Sequence, residues 1–155
     1  MKRRQRASTL VEILVALMVI MVVLTSIMAV MSMSIRLSES NEKRLLALQK
    51  AEETVEYFKR ERLLNPWSVF FPALPEGSYC FPAASMPDSL QLVASGEYFG
   101  TCGPEDTFES AGYEFQREVQ ISHPDSSTLL LTVQLSWMQA NGEKTLSLQQ
   151  EYKEY

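Results

Sequence analysis

From Ile13 to Met31 the chain runs nineteen residues without a charge, a glycine or a proline, and Thr25 and Ser26 are the two polar side chains in the run. As a helix rising about 1.5 Å per residue, this stretch matches the roughly 30 Å hydrocarbon core of a bilayer. It must sit in lipid or against other apolar helices, because a chain of 155 residues has room for one modest domain besides it. The upstream flank holds Lys2, Arg3, Arg4 and Arg6. The positive-inside bias keeps that flank in the cytoplasm and sends everything after Ile35 outside. A cleaved secretory signal has a shorter apolar core followed by a small-residue cut site, and this pattern differs from both.

Glu12 does not belong in a plain anchor. An acid within an apolar helix is costly to insert, less so near the interface. It is tolerated either as a wet interfacial group or beside a cation at the same depth. A free α-amino group, made by a cut just upstream, would be such a cation. One chain cannot easily join its own amine to its own Glu12, because both lie on one helix about a turn apart; a staggered neighbour can.

The stretch Arg6-Ala7-Ser8-Thr9-Leu10-Val11-Glu12-Ile13-Leu14-Val15-Ala16-Leu17 resembles the leader junction of type IV prepilins and pseudopilins. The resemblance implies a leader over residues 1–7 and cleavage between Ala7 and Ser8 by a prepilin peptidase. It also implies N-methylation of Ser8, a transmembrane and assembly helix over 8–35, and a role for Glu12 in stacking subunits into a filament. The family usually has Gly before the cut and Phe after it, where this chain has Ala7 and Ser8. Its major pilins often carry a helix-breaking Gly and Pro in the membrane segment, whereas this chain has neither from Ser8 to Asn65. These departures point toward a minor pilin or a pseudopilin.

Beyond the membrane run the pattern stays helical. From Arg36 to Leu64 there is no Gly or Pro, and Leu45, Leu48, Ala51, Val55 and Phe58 recur at helical spacing, predicting one apolar stripe. Glu39 with Lys43 and Glu56 with Arg60 form i,i+4 pairs in the favoured orientation. Lys59-Arg60-Glu61-Arg62 reads as a solvated face because an acid is interleaved. Asn65-Pro66 ends the helix.

Residues 65–112 hold six of the seven prolines and read as irregular, with short strand candidates at Ser78–Phe81 and Leu90–Ser95. Trp67, Phe70 and Phe71 read as a small satellite core under this loop, or else a docking patch. Cys80 and Cys102 lie in the same region. They are either two buried thiols or, if this part of the chain is exported, one disulfide closing a loop worth about 3 kcal/mol. Residues 113–155 alternate with period two: Tyr113, Phe115, Val119 and Ile121, then Leu129, Leu131, Val133, Leu135 and Trp137, then Leu146, Leu148 and Tyr152. This predicts an antiparallel sheet with one buried face. Turns are expected at His123-Pro124-Asp125-Ser126-Ser127 and Asn141-Gly142. Arg117 falls on the apolar face, an anomaly in the pattern. The expected fold is α+β and pilin-like: a long N-terminal helix, half membrane and half soluble, packed on a C-terminal antiparallel sheet. The head covers 36–155.

The net charge of −5 hides an asymmetry, since four of the fourteen Lys and Arg lie in the first six residues and leave ten against nineteen acids. An acidic body argues against nucleic acid as a partner. One histidine and two cysteines are too few for a Cys/His zinc site. His123 alone cannot build a Ser/His/Asp set. The acids Glu105, Asp106 and Glu109 lack an EF-hand pattern, and no phosphate-loop or dinucleotide motif is present. No cofactor and no catalysis are expected. The first function expected is a structural subunit of a type IV pilus, the expected partners being other pilin subunits, a prepilin peptidase, an inner-membrane assembly platform and, before assembly, membrane lipid. The alternatives are a pseudopilin of a type II secretion or DNA-uptake apparatus, and an uncleaved signal-anchored adhesin or binding module. The expected location is the cytoplasmic membrane with the head outside, then a pilus or pseudopilus.

Overall fold

A computed structural model describes residues 3–140 and 142–154 of the chain, with side chains from Leu10 onward. Contacts divide it into two compact units, residues 1–41 and residues 42–155. Helix α1 runs from Arg3 to Leu64. With no Gly or Pro in this span, nothing breaks the backbone ladder until Asn65, whose N–H and side-chain amide both donate to the carbonyl of Glu61 at 3.0 and 2.9 Å. Pro66 then opens the one-turn α2, Trp67–Phe70.

Five strands follow: β1 Gly77–Cys80, β2 Phe108–Ser110, β3 Tyr113–Asp125, β4 Thr128–Gln139 and β5 Gly142–Lys153, with a short helix α3, Leu90–Ala94, between β1 and β2. The sheet order is β1-β3-β4-β5, and β2 pairs with the start of β3. Every pairing is antiparallel. The alternating residues named above meet in register, with Val119 opposite Val133 and Leu135 opposite Leu146. Their buried face packs on the soluble part of α1, which presents Ala47, Ala51, Thr54 and Phe58, all fully buried. The fold is α+β with a pilin-like architecture.

Several local expectations need correction. The helix stripe is rotated from the predicted one: Leu45 is 65% exposed, and Leu48 and Val55 are half-buried. Leu90–Ser95 forms α3 rather than a strand. Leu90 and Val93, three apart, are buried together, and the Glu61 carboxylate accepts the Leu90 N–H at 3.2 Å. That contact corrects the solvated reading of the Lys59–Arg62 cluster at Glu61, which is buried and pairs with Arg60 at 3.1 Å, while Lys59 and Arg60 stay exposed. Glu56 meets Lys59 instead of Arg60. Arg62 lies over the Trp67 ring at 5.1 Å.

The Trp67 group joins the main core and is neither satellite nor docking patch: Phe70 is fully buried and its ring meets Tyr152 at 5.9 Å. The His123–Ser127 turn is narrower than expected. Strand β3 continues to Asp125, the register shifts between Ser122 and Asp125 around Pro124, and Ser126-Ser127 make the turn, with the Asp125 carboxylate accepting from the Ser127 N–H and hydroxyl at 2.8 Å each. A bulge is where a strand can hold proline. At the other hairpin Gly142 pairs with Gln139 and belongs to the ladder; Asn141 lies outside the described residues.

Arg117 proves to be a keystone of the core. It is fully buried, donates to the Thr54 hydroxyl at 3.2 Å and to the Ala83 carbonyl, and lies over the Phe108 ring at 5.0 Å. One residue thereby ties β3 to α1, to the loop after β1 and to β2. Burial pushes its pKa down to about 10, against the opposing pull of Glu53, so it stays charged at neutral pH. Its Nε–H has no acceptor among the described residues. Removing a large buried side chain costs about 3–5 kcal/mol, and here Ala83 also loses its donor. We expect Arg117→Ala to lose about that much in denaturant unfolding, and Arg117→Met, which refills the volume without a charge, to lose clearly less. Equal losses would show that the hydrogen bonds, rather than the packing, hold this point.

Candidate functional site

The N-terminal unit has the chemistry of an unfinished surface. Nineteen large apolar side chains between Leu10 and Ile35 stand about half exposed or more. At about 1 kcal/mol for each half-burial, covering them is worth on the order of 20 kcal/mol, more than the whole stability of a typical domain. The helix is long and apolar enough to cross a membrane. Its two hydroxyls are satisfied within the helix itself. Thr25 donates toward the carbonyls of Met21 and Val22 at 3.0 Å each, and Ser26 toward that of Val22 at 2.7 Å. Such back-bonding lets a hydroxyl enter an apolar medium without an unmet donor.

Glu12 stands exposed on this surface. It is the one charged residue from Ala7 to Ile35, and the next base downstream, Arg36, is 24 residues on, about 36 Å along a helix. Ser8 lies one turn before Glu12 on the same helix, and the backbone of both Ala7 and Ser8 is helical. The side chains of Arg3, Arg4, Arg6, Ala7 and Ser8, and all of Lys2, lie outside the described structure. A carboxylate in this position can sit wet at an interface, or it can hold a cation at the same depth in an apolar environment, where an unpaired charge is expensive.

Comparison with known families adds the decisive fact. Residues 2–28 match the family model described as the prokaryotic N-terminal methylation motif. The chain carries a type IV prepilin-like leader. The matched segment contains the basic flank, the Ala7–Ser8 junction, Glu12 and most of the apolar run. Comparison with curated proteins and with solved structures gives no match. The leader is thus where this chain is similar to known proteins, and the head must be read from its own geometry.

Cys80 and Cys102 form a disulfide in the head, with Cα atoms 5.0 Å apart. It joins β1 to the segment before β2. Beside it the chain folds back over the outer edge of β1: Cys80 N–H donates to the Tyr98 carbonyl and Gly100 N–H to the Ser78 carbonyl, both at 2.8 Å, and Tyr79 bridges to Phe99. The bond therefore holds an edge covering that has few ladder contacts of its own. Glu105 and Glu109 are exposed and Asp106 accepts the Gly103 N–H at 2.7 Å; among the described residues no three His, Cys, Asp or Glu gather as a metal site. His123 stacks on Phe71 at 4.1 Å, and its backbone N–H donates to the Glu76 carboxylate at 2.6 Å.

Sequence reasoning missed the buried Glu61 that caps α3, because an acid between three bases gives no sign of burial. It flagged Arg117 through its place on the apolar face but could not supply its partners. For the disulfide, the 22-residue separation corresponds to about 3 kcal/mol in the chain-entropy model. Cys80→Ser with Cys102→Ser should lose stability of that order in unfolding experiments and raise amide exchange at Cys80 and Gly100, the two amides bonded across the covered edge. Unchanged exchange at both would show that the covering stands without the bond.

Proposed function

We propose that this chain is a structural subunit of a type IV pilus-like filament, of the minor-pilin kind. Residues 1–7 serve as leader, 8–35 as membrane and assembly helix, and 36–155 as a head on the outer side of the cytoplasmic membrane. A prepilin peptidase cuts between Ala7 and Ser8, the new Ser8 amine is methylated, and an inner-membrane platform draws the subunit out of lipid into the filament. In the filament the Glu12 carboxylate of the incoming chain meets the Ser8 ammonium of a neighbour. A bare charge among apolar helices is costly and a pair is tolerated, so a misplaced register leaves two charges unmatched. The observation that carries the reading is Glu12 standing as the sole charge on an exposed apolar helix within the matched leader motif.

The unbroken α1 also supports a second reading, a pseudopilin of a type II secretion or DNA-uptake apparatus. It shares every step of this mechanism and differs in the apparatus that uses it. In both readings the chain acts by packing rather than by catalysis.

Mass spectrometry of the mature protein should find an N-terminus at Ser8 carrying one added methyl group. A start at Met1 in cells with an active prepilin peptidase would rule the mechanism out. Glu12→Ala should leave the head folded, with the chain present in the membrane but lost from sheared filaments. Normal incorporation of that variant would remove Glu12 from the register mechanism.

A further inference from the structure

The two edges of the sheet are treated differently. The β1 edge is short and covered by residues 98–100. The β5 edge is twelve residues long, pairs with β4 without a register shift, and has no described strand on its other side. Proteins guard such edges with prolines, bulges or charges. Here the charges sit at the ends, as Glu143, Lys144, Glu151 and Lys153, while Thr145-Leu146-Ser147-Leu148-Gln149-Gln150 has no charge, proline or glycine.

The backbone phase of this edge follows from one bond. Glu154 N–H donates to the Ser127 carbonyl at 3.0 Å, so residues 127 and 154 are a hydrogen-bonded pair. Antiparallel alternation then turns the even-numbered residues of β5 toward β4. The N–H and C=O groups of Glu143, Thr145, Ser147, Gln149 and Glu151 point outward. The Gln150 side-chain amide takes the Glu151 carbonyl, and Arg62 reaches the Lys153 carbonyl at 3.5 Å, so the lower end is partly occupied while the centre is open. On the helix side of the sheet Leu146 and Leu148 are half-buried, leaving apolar surface for a further strand to cover. On the opposite side Glu143 and Glu151 flank Thr145, Ser147 and Gln149, and Glu151 is paired with Lys153 at 2.9 Å.

We propose that the β5 edge is a docking site for an extended segment of a different polypeptide, which adds a strand to the sheet by main-chain hydrogen bonds. The segment alternates: apolar residues on the helix side beside Leu146 and Leu148, and hydroxyl, amide or basic residues on the other side, with a base facing Glu143. A second copy of this chain fits less well. Its β1 edge is already covered, and a body carrying ten bases against nineteen acids beyond the leader repels its own kind. A twofold β5–β5 pairing would also reverse the direction of the helix on each sheet, whereas chains held in one membrane by the same N-terminal segment enter their heads in one direction. This last point rests on the filament reading; the open edge does not.

The test uses the full chain in detergent micelles and a twelve-residue synthetic peptide alternating valine with threonine, with a lysine opposite Glu143. Residue-resolved hydrogen exchange should show fast outward amides at residues 145, 147 and 149 in the chain alone. Peptide should slow them about tenfold or more without changing the even-numbered amides. Ser147→Pro removes an outward donor, which an edge strand tolerates; it should keep the melting temperature and abolish the slowing. No slowing at saturating peptide, or equal slowing in Ser147→Pro, overturns the proposal. So does concentration-dependent slowing of the same amides without peptide, which would make the occupant a second copy. Because the assay uses unassembled chain, its failure leaves the Ser8 and Glu12 outcomes standing, and their failure leaves this one.

Discussion

The rest of this protein depends on an apolar helix that the chain cannot bury by itself. Between Leu10 and Ile35 the side chains that would form the core of an ordinary domain stand in the open. Lipid can cover them, and so can the same helix in neighbouring molecules. Both media punish an unpaired charge. Glu12 is therefore tolerable in a wet interface or beside a partner, and it lies within the methylation motif. Thr25 and Ser26 show the same constraint on a smaller scale: each hydroxyl turns inward to a carbonyl of its own helix.

The head solves a different problem with ordinary means. A three-strand meander, β3 to β5, lies against the alanine-rich face of the soluble part of α1, and the proline-rich segment between helix and sheet is tied down at separate points. Arg117 reaches Thr54 and Ala83 from the middle of the core, Glu61 caps α3, and Cys80–Cys102 secures the strip that covers β1. Each tie replaces ladder hydrogen bonds that a segment with six prolines cannot make. Buried tyrosines add to this: Tyr152 donates to the Val55 carbonyl at 3.1 Å and Tyr79 to that of Pro75 at 2.8 Å, and burial pushes the Tyr79 hydroxyl up to about 12. These ties close one edge of the sheet and leave the other open.

Much of this was legible beforehand. The nineteen-residue run, the acid before it and the basic flank required nothing but the order of residues, because a membrane segment is recognised by composition and length. The same holds for β3, β4 and β5, where strict alternation states which side chains share a face. The reading failed where two periodicities fit the same letters. Leu90, Leu92 and Val93 suit a strand or a helical turn, and Glu61 on a neighbouring element settles the matter by accepting the Leu90 N–H. It also failed where a stripe had several apolar rows to choose from. Leu45 is larger than Ala47, yet Leu45 is exposed and Ala47 is fully buried.

The order of residues by itself determined that one end of this chain seeks an apolar medium, that it bears a single charge there, and that the other end forms a sheet with one buried face. These are consequences of local composition and period, which need no knowledge of what lies opposite. The tertiary structure decided what periodicity cannot express. It placed Arg117 among partners 63 and 34 residues away, buried an acid from a charged cluster, folded residues 98–100 over one sheet edge and left the centre of the β5 edge without a strand partner among the described residues. Such outcomes depend on contacts between segments distant in the chain, and the free energy of burial is set by what arrives at a site as much as by the residue that occupies it.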